Sequence, residues 1–301
     1  MASVVVAVVG PTGTGKSAIA LALAEKLDAE IIAVDAFTVY RGMDVGTAKP
    51  GIAERLRIPH HMIDVLDPAE ECTVQWFQRA AREAIARVQA RGRTPLLVGG
   101  SGLYFRAVVD PLEFPPTDLR VRNEIEGRYQ ANPAAAHAVL QTCDPAAAAR
   151  IDPGNLRRSV RALEVLALTG RPFSDWRQTW DSYESRYANL RVVGIEVPRA
   201  QLASRLDERV DEMIARGLVE ECRTLERGAL SHTARQAIGY SEIFEVLVGI
   251  YGLDEAARRI KTRTRQYAVR QRRWFGMDSR VRWTSPTVRQ VLEVVRDSCG
   301  L

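Results

Sequence analysis

The octapeptide Gly10-Pro11-Thr12-Gly13-Thr14-Gly15-Lys16-Ser17 constrains this chain more than any other stretch. It has the form G-x-x-x-x-G-K-[ST], that of a loop that cradles phosphates. The apolar run Val4-Val5-Val6-Ala7-Val8-Val9 precedes it and reads as a buried strand. Behind it, Ile19, Leu23 and Leu27 recur at helical spacing. Strand, glycine-rich loop and helix therefore stand in the order the motif needs. Glycines let the backbone approach a phosphate, while backbone N–H groups and the helix N-terminus face the anion. Lys16 offers charge to the outer phosphates, and Ser17 offers a hydroxyl to Mg²⁺. The motif specifies a diphosphate or triphosphate and leaves the molecule and the reaction open.

At 301 residues the chain is long enough for a full α/β core with a smaller attached unit. No apolar run approaches the ~20 residues of a membrane span, so a non-membrane, cytoplasmic protein is expected. The first strand begins almost at the N-terminus, which predicts no secretory leader. Cys72, Cys143, Cys222 and Cys299 are far apart, which predicts neither a zinc site nor a disulfide framework. A formal charge of +5 permits a nucleic-acid partner without requiring one. Lysine is nearly absent, being confined to Lys16, Lys26, Lys49 and Lys261. A lysine kept at position 16 is consistent with a role arginine cannot fill.

Further apolar runs at 30–34 and 95–98 alternate with helical patterns, the clearest at 73–90. Such alternation predicts a parallel sheet with right-handed crossovers, flanked by helices. Ligands bind such sheets at the carboxyl ends of the strands. The phosphate loop, Asp35 and Ser101 all fall there. The pattern breaks around Pro111–Pro116, and residues 118–189 read as a helical insertion. The expected division is thus a catalytic core of 1–117 and 190–301, with 118–189 inserted. A strand returns at 190–197, followed by helices at 200–216, 219–227, 235–248 and 254–275.

Asp35 has two readings: a strand-end aspartate capping the next turn, or a carboxylate facing the phosphates as a general base or Mg²⁺ partner. A nucleoside triphosphatase would also place an acid at the end of the third strand. Gly99-Gly100-Ser101-Gly102 stands there instead, which weighs against that class. Residues 39–50 lack periodicity and read as a long, specific loop. Arg205 and Arg209 share a helix flank, where spacing alone favours a solvated pair. Arg157, Arg158 and Arg161 form either a solvated face or a phosphate-contacting patch. Residues 256–277 carry no acid and many arginines interleaved with Tyr267, Trp274 and Phe275, which favours nucleic-acid contact. His60 and His61 lack further ligand-spaced partners and read as structural.

Taken in order, these segments resemble the bacterial tRNA dimethylallyltransferase (tRNA isopentenyltransferase) family from Val4 to about Trp283. Besides the phosphate loop, the resemblance rests on Tyr40 to Pro50, Pro59-His60-His61-Met62-Ile63-Asp64, and Leu97 to Tyr104. It extends through Arg161-Ala162-Leu163-Glu164-Val165, Ile238-Gly239-Tyr240 and Arg270 to Phe275. It implies transfer of a dimethylallyl group from dimethylallyl diphosphate to N6 of the adenosine 3′ of the anticodon, with Mg²⁺ required. The partners implied are the anticodon stem-loop of tRNA and dimethylallyl diphosphate, bound by a monomer.

By position, the resemblance makes Asp35, Thr12 and Arg209 catalytic, gives residues Gly10 to Ser17 the diphosphate, and gives Ser17 the metal. It assigns tRNA contact to Asp35, Ala36, Phe37, Thr38, Ser101, Arg122, Arg157, Arg158 and Arg161. The family usually reads D-S-x-Q where this chain has Asp35-Ala36-Phe37-Thr38, and N-D where it has Gly154-Asn155. Competing classes are an isopentenyltransferase for free adenine nucleotides, a small-molecule kinase, and a nonenzymatic RNA-binding module.

Overall fold

In the computed structural model, which describes residues 4–177, 180 and 182–297, the chain divides into two units. Cys299 lies outside the described residues. The larger unit runs up to Val109 and resumes at Ser185; the smaller is Asp110–Glu184.

The larger unit is built on a six-stranded parallel sheet. Its strands are β1 (Val5–Val9), β2 (Ala29–Val34), β3 (His60–His61), β4 (Thr94–Gly99), β5 (Leu190–Ile195) and β6 (Val281–Thr284). They lie in the order β3-β2-β4-β1-β5-β6. Every residue of β1 and β2 is buried, which is why, Glu30 apart, these strands read as continuous apolar runs rather than alternating ones. Val9 pairs with Gly99 on one side and Gly194 on the other, and Gly99 pairs with Val34. The carboxyl ends of β2, β4, β1 and β5 therefore form one level row. Asp35, Gly100 and Gly10 each follow directly from it, side by side at the sheet's ligand-binding edge.

Helices α1 (Lys16–Leu27), α2 (Ile52–Arg57), α3 (Val74–Ala90) and α4 (Gly102–Val109) complete the first half. The two faces of the sheet carry separate apolar cores. Phe77, Ile85 and Phe105 fill one; Ile19, Leu23 and Leu96 fill the other. Strand β3 is too short to leave a periodic signal, and β6 mixes Arg282 with apolar residues, so neither was foreseen.

The smaller unit holds α5 (Leu119–Tyr129), α6 (Pro133–Cys143), α7 (Pro145–Ala148), α8 (Leu156–Thr169) and a 3₁₀ turn at Phe173–Arg177. Small residues make its core: Ala136, Ala147, Ala148 and Ala162 pack with Leu140, Ile151 and Leu163. Each α-helix starts on a side-chain cap, Asp118, Asn132, Asp144 and Asn155 respectively. The Gly154-Asn155 departure thus keeps a working cap, the Asn155 side chain accepting from Arg158 N–H at 3.2 Å. The unit begins earlier than the break at 118 suggests because residues before it are tied in. Arg161 donates to the carbonyls of Pro115 and Pro116 at 2.8 and 2.9 Å.

The chain returns to the larger unit as α9 (Arg199–Ala215), α10 (Leu218–Glu226), α11 (His232–Arg235), α12 (Tyr240–Leu247), α13 (Leu253–Gly276) and α14 (Val288–Asp297). The single helix expected at 235–248 is interrupted at Gly239, whose φ of +97° lies outside helical space. Glu242 reaches back to accept the Gly239 N–H at 2.9 Å and starts α12 afresh.

Candidate active site

The phosphate loop leaves β1 through three glycines with positive φ: Gly10 (+135°), Gly13 (+78°) and Gly15 (+86°). Only glycine takes these angles without strain. At Gly10 a Cβ would also lie 2.6 Å from the Ile195 carbonyl oxygen. Gly15 caps α1 without a side chain, so the amides of the first helical turn stay open to an anion. The Lys16 ammonium donates to the Pro11 carbonyl, which also accepts the Thr14 hydroxyl at 2.9 Å.

Lys16, Arg209 and Asp35 form one electrostatic cluster. Burial pushes the Lys16 ammonium down to about 7; the charge of Arg209 lowers it further and Asp35 opposes the drop. Burial likewise lowers Arg209, against the pull of Asp35 and Glu212. Among the described residues Arg209 has no hydrogen bond or ion pair. The solvated-pair reading of this arginine is thereby replaced by a half-buried cation beside the phosphate loop. Two desolvated cations over open amides suit a multiply charged anion.

The capping reading of Asp35 is met. Its Oδ1 caps the turn after β2, accepting from Phe37 N–H at 2.8 Å and Thr38 N–H at 3.4 Å. Its Oδ2 accepts no hydrogen bond among the described residues, so one carboxylate oxygen is fixed and the other is open. Ala36 and Phe37 pack against the core, and the buried Thr38 hydroxyl has no partner among the described residues. Tyr267 of α13 stands near Asp35, whose charge adds to burial in pushing the phenol above its ordinary range.

The glycines after β4 are accounted for by α13. Gln271, 5% exposed, donates to the Gly100 carbonyl at 2.9 Å and accepts the Thr12 N–H at 2.9 Å. A Cβ on Gly100 would lie 2.2 Å from the Gln271 Nε2, and one on Gly102 would lie 1.8 Å from the Trp274 ring. The turn is stripped of side chains so that α13 can seat there. Ser101 is half-buried between these glycines, and its carbonyl starts α4 by accepting the Phe105 N–H at 2.9 Å.

Residues 38–278 match the family model described as IPP transferase, and residues 3–61 match one described as isopentenyl transferase. The chain belongs to the IPP transferase family. It is 49% identical to the tRNA dimethylallyltransferase of Nocardioides sp. over 93% of this chain and 90% of that protein. The structure resembles the full-length tRNA isopentenylpyrophosphate transferase of Bacillus halodurans, with a TM-score of 0.72, 38% identity, and 99% and 96% of the two chains covered. It also resembles a eukaryotic dimethylallyltransferase solved acting on tRNA, with a TM-score of 0.77 and 27% identity over 99% of this chain and 77% of that one.

Within this IPP transferase fold, the 39–50 loop is a built element and not a surface turn. The Glu221 carboxylate of α10 accepts the N–H groups of Asp44 (2.9 Å), Val45 (2.8 Å) and Gly46 (3.3 Å), and the Tyr240 hydroxyl (2.6 Å). Lys49, its side chain 2% exposed, bridges Asp44 at 2.7 Å and Asp64 at 2.6 Å. Gly46 is flat against the Tyr240 ring, where a Cβ would come within 2.4 Å. The motifs around 40–50, 59–64 and 238–240 thus meet as one scaffold. His60 and His61 are engaged internally, with Ile58 O at 2.7 Å and Glu30 at 2.6 Å.

The arginine readings divide. Arg157 and Arg158 are exposed. Arg122 and Arg161 instead share the fully buried Glu164, each at 2.8 Å. The one-signed face of α13 is also largely neutralised. Lys261 pairs with Asp211 (2.7 Å), Arg265 with Asp207 (3.0 Å), Arg272 with Glu196 (2.9 Å), and Arg263 with Glu242. The acids come from other elements, which a reading confined to 256–277 does not see. Arg270 and Arg273 remain exposed, with no ion pair among the described residues. Sequence reasoning gave no role to Gln271, Glu221 or Glu164. Gln271 did leave a signal: it is a polar residue on the stripe of Ile260, Ala268 and Phe275 that α13 buries.

Proposed function

We propose that this IPP transferase moves a dimethylallyl group from dimethylallyl diphosphate to N6 of the adenosine 3′-adjacent to the anticodon (position 37) of tRNA. The observation that carries the reading is that Asp35, with one carboxylate oxygen free of hydrogen bonds among the described residues, shares one electrostatic cluster with Lys16 and Arg209. The N6 lone pair of adenine is delocalised into the ring, so the amine attacks only as a proton is withdrawn. Asp35 Oδ2 is the group placed to take that proton. The N6–C1 bond forms as the C1–O bond of the allylic diphosphate breaks, and the electron pair leaves with the diphosphate. Lys16, Arg209 and the amides from Gly13 to Ser17 stabilise that developing charge.

A magnesium ion fits this donor set as one held mainly by the substrate. The exposed Ser17 on the first turn of α1 is the protein group to hold it, and no group of three or more His, Cys, Asp or Glu among the described residues forms a separate cage. When bound, it supplies further neutralisation of the departing diphosphate. Exposed Arg157, Arg158, Arg270 and Arg273 supply phosphate contacts for the stem-loop, and its target base must leave the stack to reach Asp35. No helix among the described residues is long and apolar enough to cross a membrane.

Isothermal titration with Mg²⁺ present tests the choice of donor. Dimethylallyl diphosphate is expected to bind, and ATP to bind weakly and remain unhydrolysed. Tight ATP binding with hydrolysis and no prenyl-diphosphate binding would establish the kinase reading instead.

A further inference from the structure

The phosphate loop and the Asp35 turn come from different strands, and no side chain of either one contacts the other in a hydrogen bond. Yet the transfer needs the leaving diphosphate and the accepting nitrogen at a set separation, on opposite sides of one carbon. The Gln271 side chain of α13 ties the phosphate loop to the turn after β4, which lies beside the Asp35 turn because Gly99 pairs with Val34. Its amide oxygen holds the Thr12 N–H at 2.9 Å, and its amide nitrogen holds the Gly100 carbonyl at 2.9 Å. Gly100 is bare at the point of contact, where a Cβ would lie 2.2 Å from the amide nitrogen. Pro11 has no N–H, and the Thr12 N–H is spent on Gln271, so the first part of the loop binds α13 and not the ligand.

We infer that Gln271 is a positioning residue for the transfer: by tying the phosphate loop to the Gly100 turn beside Asp35, it fixes the loop relative to the Asp35 carboxylate. It touches neither reactant. It acts through the Thr12 backbone on the diphosphate side and through the Gly100 carbonyl on the side of the Asp35 turn. This rests on the prenyl-transfer reading and adds a residue to it.

Both polar atoms of the side chain are engaged, so replacement by an apolar isostere tests hydrogen bonding at nearly constant volume. Gln271→Met removes both bonds, and Gln271→Asn keeps an amide that is one methylene too short to reach both partners. Single-turnover transfer to an anticodon stem-loop, with both substrates saturating, reads the chemical step; filter binding reads stem-loop affinity; thermal melting reads folding. Misplacement by about an ångström costs about 10²-fold, so Gln271→Met is expected to slow the step by about 10²-fold. Gln271→Asn is expected to slow it several-fold, and stem-loop affinity should stay within about twofold for both, because the phosphate contacts that carry affinity are untouched.

A folded Gln271→Met enzyme within about threefold of the wild-type rate overturns the inference, as does a rate loss matched by an equal loss of stem-loop binding. Should Gln271→Met not fold, Gln271→Asn decides alone: a slower step at unchanged melting temperature supports the inference, and an unchanged rate overturns it. A wild-type protein that transfers nothing in this assay would instead count against the prenyl-transfer reading itself.

Discussion

Asp35→Asn is expected to lower turnover by roughly 10²–10⁴-fold, the usual range for removal of a general base. The amide is the same size as the carboxylate. Its oxygen can still accept the N–H groups of Phe37 and Thr38, so the turn after β2 should keep its shape. What disappears is the free oxygen able to accept a proton from N6. Binding of the stem-loop should change much less than turnover, and binding of the diphosphate should hold or improve. Steady-state kinetics with tRNA varied and prenyl donor saturating separates these effects. An Asp35→Asn enzyme within a few-fold of wild type would end the assignment and leave Asp35 with its capping role alone.

Lys16→Met is expected to cost roughly 10²–10³-fold in turnover, the range for loss of one preorganised donor to a developing anion. It also has a protonic signature. The ammonium titrates near pH 7 in the folded protein because it is buried beside Arg209. In the unfolded chain it returns to 10.5. Between those values the unfolded chain holds the extra proton, so stability rises with pH there. The cost of holding this lysine charged is full below pH 7 and fades as pH climbs toward 10.5. A diphosphate reverses the balance by favouring the ammonium. Binding of dimethylallyl diphosphate at pH 8 should therefore take up roughly one proton, and affinity should fall as pH rises above 7. Calorimetry in buffers of different ionisation enthalpy measures that uptake. It should vanish in Lys16→Met; an unchanged uptake there would assign the proton to another group.

The sheet edge was legible in the sequence because its signals are local. Three apolar runs, each ending in a polar or glycine-rich turn, are enough to align Gly10, Asp35 and Ser101 once the strands are parallel. Periodicity also located the helical unit, while its start at 110 depends on Arg161 reaching back to Pro115 and Pro116, a contact across more than forty residues. The charge pattern of α13 overstated its free charge for the same reason: its acids lie on α9, on α12 and after β5. The short segments β3 and β6 exist only as pairing partners of longer strands. Gly99-Gly100-Ser101-Gly102 was informative for the acid it lacks, but its positive reason, room for Gln271 and Trp274, needs α13 in place. The D-S-x-Q departure reduces to particular atoms: the Asp35 cap survives, and Thr38 brings a buried hydroxyl with no partner among the described residues.

The most direct test of the account is mass spectrometry of nucleosides from an anticodon stem-loop incubated with the protein, dimethylallyl diphosphate and Mg²⁺. The account predicts that the adenosine 3′ of the anticodon gains one dimethylallyl group in place of an N6 hydrogen, with release of diphosphate, and that stem-loops lacking that adenosine stay unmodified. Unmodified stem-loop beside prenylated free adenine nucleotide, or modification at another base, would contradict it.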